Sequence, residues 1–276
     1  MLDALVALGL LEKHGDRYSL PEGLVPYLTC AGSDTVLAMA QHQANCLRRW
    51  ARLAEVVKTG KPAERRPSIR GEAADLASFI GAMDNISVPV AARLVADIGP
   101  PSFGHLLDVG GASGTWTIAF LRAVPDAMAT IFDLPSVIPM AERRIAAAEL
   151  SSRVKFVAGD FESDPLPAGA DLAWVSAIIH QNSREQNRRL FAGVFKALAG
   201  GGRVLIRDLV MEESRTAPIA GALFAVNMLV GTERGGTFTF EEIREDLGAA
   251  GFTDAAILRR TDAMDSVVGA RKPAAP

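Results

Sequence analysis

Apolar positions recur along this chain at two different periods, and the change of period divides it near residue 99. Before that point the spacing is helical. Leu2, Leu5, Val6 and Leu8 form a short stripe that Gly9 ends. "LLEKHGDRYSL" then predicts two short extended pieces around a tight turn at His14-Gly15-Asp16. Residues 33–62 keep an apolar stripe through Val36, Leu37, Ala40, Ala44, Leu47 and Ala51, with Ser33 or Asp34 as N-cap and Gly60 and Pro62 as the stop. The polar, proline-rich 62–73 reads as a loop, helical pattern resumes over 74–99, and Gly99-Pro100-Pro101 breaks it. From there short apolar runs alternate with helical segments: strands at 105–111, 128–134, 154–160, 171–179 and 203–210. That alternation predicts a mostly parallel sheet covered by helices on both faces. A final helix and two short strands on either side of Thr261–Met264 predict an antiparallel hairpin closing one sheet edge.

Composition narrows the function classes. The chain has 276 residues, 49% of them hydrophobic, enough for one large domain or two unequal ones. Its formal net charge is −3, and its few basic clusters, such as Arg65-Arg66, are short, which argues against a nucleic-acid partner. Cys30 and Cys46 make no C-x-x-C, and the four histidines show no metal-ligand spacing, so neither a disulfide framework nor a metal centre is indicated. The start lacks the features of a signal peptide, and the weakly polar 217–231 is too short to span a bilayer and carries Asn227. It reads as a buried helix in a soluble, cytoplasmic protein that does not engage a membrane.

Candidate chemistry begins at "LLDVGGASGTW", which sets Asp108, Gly110, Gly111 and Gly114 between a strand and a helix. Ligands of open α/β sheets bind outside the carboxyl ends of the strands, glycines admit close approach to the backbone, and free N–H groups at a helix start favour an anion. Asp133 ends the next strand, nineteen residues beyond Gly114, where a carboxylate can accept hydrogen bonds from ribose hydroxyls. A glycine turn that merely packs is the alternative; the acid at the next strand end favours a nucleoside-type cofactor. The spacing departs from G-x-G-x-x-G, since the third position is Ala112. Read from Asp108 it is D-x-G-x-A-x-G, close to the D-x-G-x-G-x-G of S-adenosylmethionine enzymes. In "AIIHQNS" an apolar run ends in His180, which is either a satisfied core histidine or a catalytic one.

"LLDVGGASG", "IFDLPSVI", "AGDF", "IIHQNSREQNRRLF", "ALAGGGRVLIRDLV" and "GAAGF" follow one another in the order of the motifs of small-molecule O-methyltransferases. The chain resembles that family, of the plant caffeate, hydroxyindole and bacterial polyketide type, over nearly its whole length. The resemblance implies a Rossmann-like class I methyltransferase domain, an α/β fold on a mostly parallel seven-stranded sheet, over 100–276. It implies a helical, partial winged-helix region for dimerisation and substrate lining over 1–99, shortened at its start. It also implies S-adenosyl-L-methionine as cofactor. Asp108, Gly110, Gly111 and Gly114 would hold its methionine part, Asp133 with Leu134 the ribose, and Asp160 and Phe161 the adenine. Ser176 stands where the family carries a donor-contacting lysine. His180 falls on the general base and Asp208 on the carboxylate that orients it. Glu233 in "VGTERGG" matches a second acidic partner when aligned from Met228-Leu229, but not when aligned from "FTFEE". Met83 falls on a substrate-contacting methionine; Phe79, Gln181, Asn227 and Met228, with Trp50 and Phe224, would line the acceptor pocket or be plain core. The family pattern H-D-W is His180-Gln181-Asn182 here.

The chemistry agrees with this assignment. Methyl transfer from a sulfonium is an in-line displacement that needs an aligned acceptor and removal of its hydroxyl proton. A free phenol titrates near pH 10 and a free imidazole near 6.5, so an imidazole steadied by a carboxylate suits the task. Asp208 ends the strand after the one leading to His180, so adjacent parallel strands would bring the two together. Gln181 and Asn182 do not titrate near neutrality and would only hydrogen-bond an acceptor. The expectation is therefore a homodimeric O-methyltransferase acting on a hydroxyl of a small aromatic molecule. The alternatives are a non-catalytic S-adenosylmethionine-binding protein that uses a winged helix for interaction or regulation, and a C- or N-methyltransferase.

Overall fold

The computed structural model describes residues 1–32, 34–62, 64, 66–99 and 102–274. The chain forms two compact units, one of Met1–Arg48 with Arg66–Ile86, the other of Arg49–Arg65 with Ser87–Pro276. The second unit thus takes in segments on both sides of the helical 66–86 as well as everything beyond residue 99.

In the first unit, α1 (Leu2–Ala7) is followed by the hairpin β1 (Glu12–His14) and β2 (Arg17–Ser19), turned by Gly15 at φ +63°. The short α2 (Val25–Leu28) precedes α3 (Leu37–Trp50). Of the two caps expected for α3, Ser33 lies outside the described residues. The helix starts later, where the Leu37 N–H donates to Thr35 Oγ1. The single helix expected over 33–62 is two, because the chain turns at Ala51-Arg52 before α4 (Leu53–Thr59). The 26-residue α5 (Glu72–Asp97) runs from the first unit into the second. A Cβ on Gly81 would fall 2.7 Å from Ala38 Cβ, so α5 crosses α3 closely there. Among the described residues, α5 is the one helix long and apolar enough by length and composition to cross a membrane; it carries Pro89 and Arg93, and its Ala91, Leu94 and Val95 join the core. The helix ends before Gly99 (φ +54°), and Pro100 and Pro101 lie outside the described residues.

The second unit is built on a seven-stranded sheet: β3 (His105–Val109), β4 (Met128–Asp133), β5 (Val154–Ala158), β6 (Ala170–Ser176), β7 (Leu198–Asp208), β10 (Thr253–Arg259) and β11 (Ser266–Arg271). Between them come α6 (Thr115–Ala123), α7 (Ile138–Ala147), α8 (Arg184–Ala197), a small parallel pair β8 (Val210–Met211) and β9 (Phe238–Thr239), α9 (Ile219–Gly231) and α10 (Phe240–Ala249). The spatial order is β10-β11-β7-β6-β3-β4-β5; β3 to β7 are parallel, and the expected hairpin β10–β11 closes the edge antiparallel. Two strands begin or end away from the expected points. β7 starts at Leu198, absorbing the glycines thought to stop α8, and β6 ends at Ser176.

Successive strand residues point to opposite faces. Leu106, Leu172 and Leu205 therefore pack under α5, α6 and α7 with Trp116, Phe120 and Ile145. Leu107, Ala173 and Ile206 pack on the other face against Leu190, Phe191 and Val194 of α8 and Ile243 and Leu247 of α10. Each of these two last helices opens on a capping box, Ser183 with Gln186 and Thr239 with Glu242, which fixes where its first turn begins. The helix expected to be buried at 217–231 is a surface one. Met228 and Val230 of α9 are buried, whereas Ile219 is 76% and Leu223 59% exposed.

Candidate active site

The connections reverse direction between β3 and β6: β4 and β5 extend the sheet to one side of β3, and β6 then pairs with its other side. A crevice for ligands opens at such a switch point, outside the carboxyl ends of the strands. Gly110, just beyond β3, and the segment after β6 both lie at the carboxyl ends of these strands. A Cβ on Gly110 would fall 2.6 Å from Ile178 Cδ1 and 3.9 Å from Phe161 Cε1, and its φ is +66°. Glycine is thus required there twice, by conformation and by space.

The glycine loop is tied down from several sides. The Gly110 N–H donates to Phe132 O at 2.8 Å, and Ala112, itself at φ +50°, donates its N–H to Asp133 Oδ2 at 2.8 Å. The Leu134 N–H donates to Asp133 Oδ1 at 2.7 Å. Asp133 therefore anchors the loop; a carboxylate has about four acceptor positions, so capacity remains for a ligand. Burial pushes its carboxyl above the usual range. Asp108 lies beneath the loop, 1% exposed, and accepts a hydrogen bond from Thr117 Oγ1 at 2.6 Å. Burial, with the nearby Asp133 charge adding to it, pushes the Asp108 carboxyl up to about 7. A Cβ on Gly111 would meet Ile131 and Asp108, and one on Gly114 would meet Ile145 and Ile131. Asp108, Gly111 and Gly114 thus shape the loop from its core side.

Beyond Gly159, Asp160 closes its own turn: its Oδ1 accepts from the Glu162 N–H, and its N–H donates to Asp164 Oδ2. Ser176, at the end of β6, accepts a hydrogen bond from Arg207 Nη1 at 3.2 Å. The Arg207 guanidinium is buried, pairs with Asp265 and lies over the Trp116 ring.

His180 is not at the strand end itself. Ala177 turns the chain at φ +57°, and His180 sits in a 3₁₀ turn, Ile179–Gln181. The run of apolar residues hides this, since a buried strand and a buried turn draw on the same side chains. The imidazole is 6% exposed, and its Nδ1 lies 2.9 and 3.0 Å from the two oxygens of Asp208, which is 1% exposed. Asp208 closes β7, whose register beside β6 sets Arg207 opposite Ser176, and it also accepts the Leu209 N–H. An ionised carboxylate only accepts, so Nδ1 carries the proton and Nε2 is the basic nitrogen. The Phe224 and His180 rings meet edge to face, with centroids 4.8 Å apart and planes at 88°. That contact comes from α9, far along the chain, and has no signature in local pattern.

The remaining candidates divide. Gln181 is exposed, donates to Ala177 O, and with Glu162, Gln186, Glu233 and Arg234 lines an open polar cleft of about 390 Å³. Among the described residues no hydrogen bond or ion pair joins Glu233 to His180. Its loop instead docks on the histidine's backbone, where the Gly236 N–H donates to His180 O at 2.9 Å. Asn182 is turned inward, 3% exposed, and hydrogen-bonds Asn187. Asn227 Oδ1 is taken by the Trp50 indole N–H at 2.9 Å, and Met228 is buried. Phe79 and Met83 are half-buried on α5 in the first unit, where Phe79 packs on His42. Sequence reasoning missed Ile178 and the loop residues Gly235 and Gly236, which act through backbone or packing, and Asn187, which acts through its side-chain amide.

The profile of the O-methyltransferase domain family matches residues 50–253. The 3-hydroxy-5-methyl-1-naphthoate 3-O-methyltransferase of Streptomyces sahachiroi is 34% identical over 267 residues, covering 94% of this chain and 76% of that relative. The tetracenomycin polyketide synthesis 8-O-methyl transferase TcmO of Streptomyces glaucescens is 34% identical over 99% of this chain and 81% of its own. Among solved structures, human N-acetylserotonin methyltransferase in complex with S-adenosylmethionine superposes with a TM-score of 0.77 at 25% identity, covering 99% of this chain and 81% of that one.

Proposed function

The chain belongs to the O-methyltransferase family, and from that premise we propose that it methylates a hydroxyl of a small aromatic molecule with His180 as general base. It is an S-adenosylmethionine-dependent enzyme. The residues present fit that donor: a glycine at positive φ follows β3 at the switch point, with Phe161 beside it and an acid at the end of β4. Gly110 and its loop would hold the methionine part, Asp133 and Leu134 the ribose, and Asp160 and Phe161 the adenine side. When bound, the donor supplies an electrophilic methyl group on a sulfonium.

The observation that carries the catalytic assignment is the buried His180–Asp208 pair beside that crevice. Asp208 holds the imidazole by Nδ1–H, fixing the tautomer with Nε2 as acceptor. Nε2 takes the proton of the acceptor hydroxyl as its oxygen becomes nucleophilic, and Asp208 stabilises the imidazolium that results. Phe224 packs at right angles against the ring and restricts its rotation. Glu233 and Gln181, at the polar cleft beside the histidine, would address polar substituents of the acceptor. We further read the protein as a homodimer associating through the helices of 1–10 and 33–59. Incubation with methyl-labelled S-adenosylmethionine and a panel of hydroxylated naphthoates and other polyketide-type phenols should give a single methyl gain at oxygen by mass spectrometry. Transfer to amines alone would refute the O-acceptor assignment.

A further inference from the structure

His180 sits in a single 3₁₀ turn, a conformation with poor internal hydrogen bonds that depends on outside ties. Besides the turn's own bond, in which the Asn182 N–H donates to Ile179 O at 3.2 Å, two ties reach the backbone of the turn. On one side the Gly236 N–H donates to His180 O. On the other, two buried amides act in series: Asn182 Nδ2 donates to Asn187 Oδ1 at 3.0 Å, and Asn187 Nδ2 donates to Ile179 O at 3.0 Å. Asn182 is 3% and Asn187 2% exposed. The chain thus leaves the turn at Asn182, and the amide of that residue returns through α8 to the carbonyl just before the histidine.

Burying two amides is costly unless each is bonded, and an apolar pair would fill the same space without that condition. What the amides provide that an apolar pair cannot is direction. A donor aimed at Ile179 O fixes the peptide plane from which His180 projects. We propose that Asn182 and Asn187 are positioning residues for His180, an amide clamp that keeps the imidazole on Asp208 and its Nε2 aimed at the acceptor. The clamp touches neither donor nor acceptor, and the proposal rests on the reading of His180 as the base.

The test compares Asn187→Leu, Asn182→Leu and the double variant with wild type and with His180→Ala. Turnover, S-adenosylmethionine affinity by calorimetry and thermal unfolding are read for each. Each single variant should lower kcat about 10–100-fold, the scale of a small misplacement of a catalytic group, and leave donor affinity unchanged. Each should also lower the melting temperature, because a buried amide loses its partner. In the double variant the melting temperature should recover in part, since no amide is left orphaned, while kcat stays low because Ile179 O keeps the backbone N–H of the turn but still lacks the side-chain donor of Asn187. Recovery of kcat together with stability would reduce the pair to a structural role and overturn the proposal. So would wild-type kcat in the single variants while His180→Ala is crippled. Should Asn187→Leu not fold, Asn187→Ala removes the same donor without added branching, and wild-type kcat in it overturns the proposal equally. Indifference of turnover to His180→Ala itself would instead sink the base assignment, a result separate from the behaviour of the amides.

Discussion

At the scale of single residues, the central contrast is between two buried carboxyls with opposite tasks. Asp208 faces an imidazole and accepts from Nδ1. If that pair supplies the base, His180→Ala should lower kcat by roughly 10²–10⁴-fold, the usual contribution of a positioned acid or base, with donor affinity unaltered. Asp208→Asn should cost less, and the loss in both should shrink for acceptors of lower pKa, whose proton leaves more readily unaided. An active enzyme whose kcat ignores His180→Ala would exclude the mechanism. Among the described residues Asp108 forms no ion pair, and burial raises its carboxyl from 3.8 to about 7. The folded state then binds a proton there more tightly than the unfolded chain does. Its contribution to stability is complete below 3.8 and is lost as the pH rises through about 7. Asp133, also raised by burial, acts in the same direction. Melting temperature should therefore decline between pH 5 and pH 8 in part because of Asp108, and Asp108→Asn, which can still accept from Thr117, should flatten that decline. Equal slopes for the two proteins would show that Asp108 does not titrate in this window.

At the scale of elements, the parallel strands and the closing hairpin were legible because alternation of apolar runs with helical stripes has few other solutions. The pairing of His180 with Asp208 was legible for the same reason, as neighbouring parallel strands end at the same side of the sheet. Other features left no trace in local pattern. The turn between α3 and α4 contains neither glycine nor proline. The end of β6 is marked only by a positive φ at Ala177, a residue that rarely signals one. The exposure of α9 follows from where the helix lies, not from its composition. The glycine loop shows how an element converts sequence into affinity. Gly110 combines φ +66° with a 2.6 Å approach of any Cβ to Ile178. Gly110→Ala should therefore displace the loop and weaken donor binding, seen as a smaller rise of melting temperature with S-adenosylmethionine; for wild type that rise corresponds to about 2.7 kcal/mol at one hundred times Kd. Adding Ile178→Ala relieves the clash but not the backbone strain, so only part of the affinity should return. Full donor affinity in Gly110→Ala would mean the loop does not approach the ligand.

At the scale of the whole molecule, the distribution of apolar surface bears on assembly. In the first unit Leu8 is 72%, Leu47 70% and Leu2 43% exposed. Single exposed leucines need no explanation, but several in or next to α1, which buries no residue, and α3, which buries only Cys46, would suit another protein. The net charge of −3 is too small to keep two copies apart at physiological salt. A second copy is the partner that symmetry makes most economical, since an isologous interface uses the same patch twice. Light scattering at micromolar concentration should give twice the 29.2 kDa of one chain. Leu47→Glu, which sets a charge in the proposed interface without touching the strands or the His180–Asp208 pair, should shift the mass toward that of one chain and leave the far-ultraviolet circular dichroism unchanged. A wild-type protein that scatters as 29.2 kDa at every concentration tested would leave these leucines without a partner of their own kind and remove the dimer from the account.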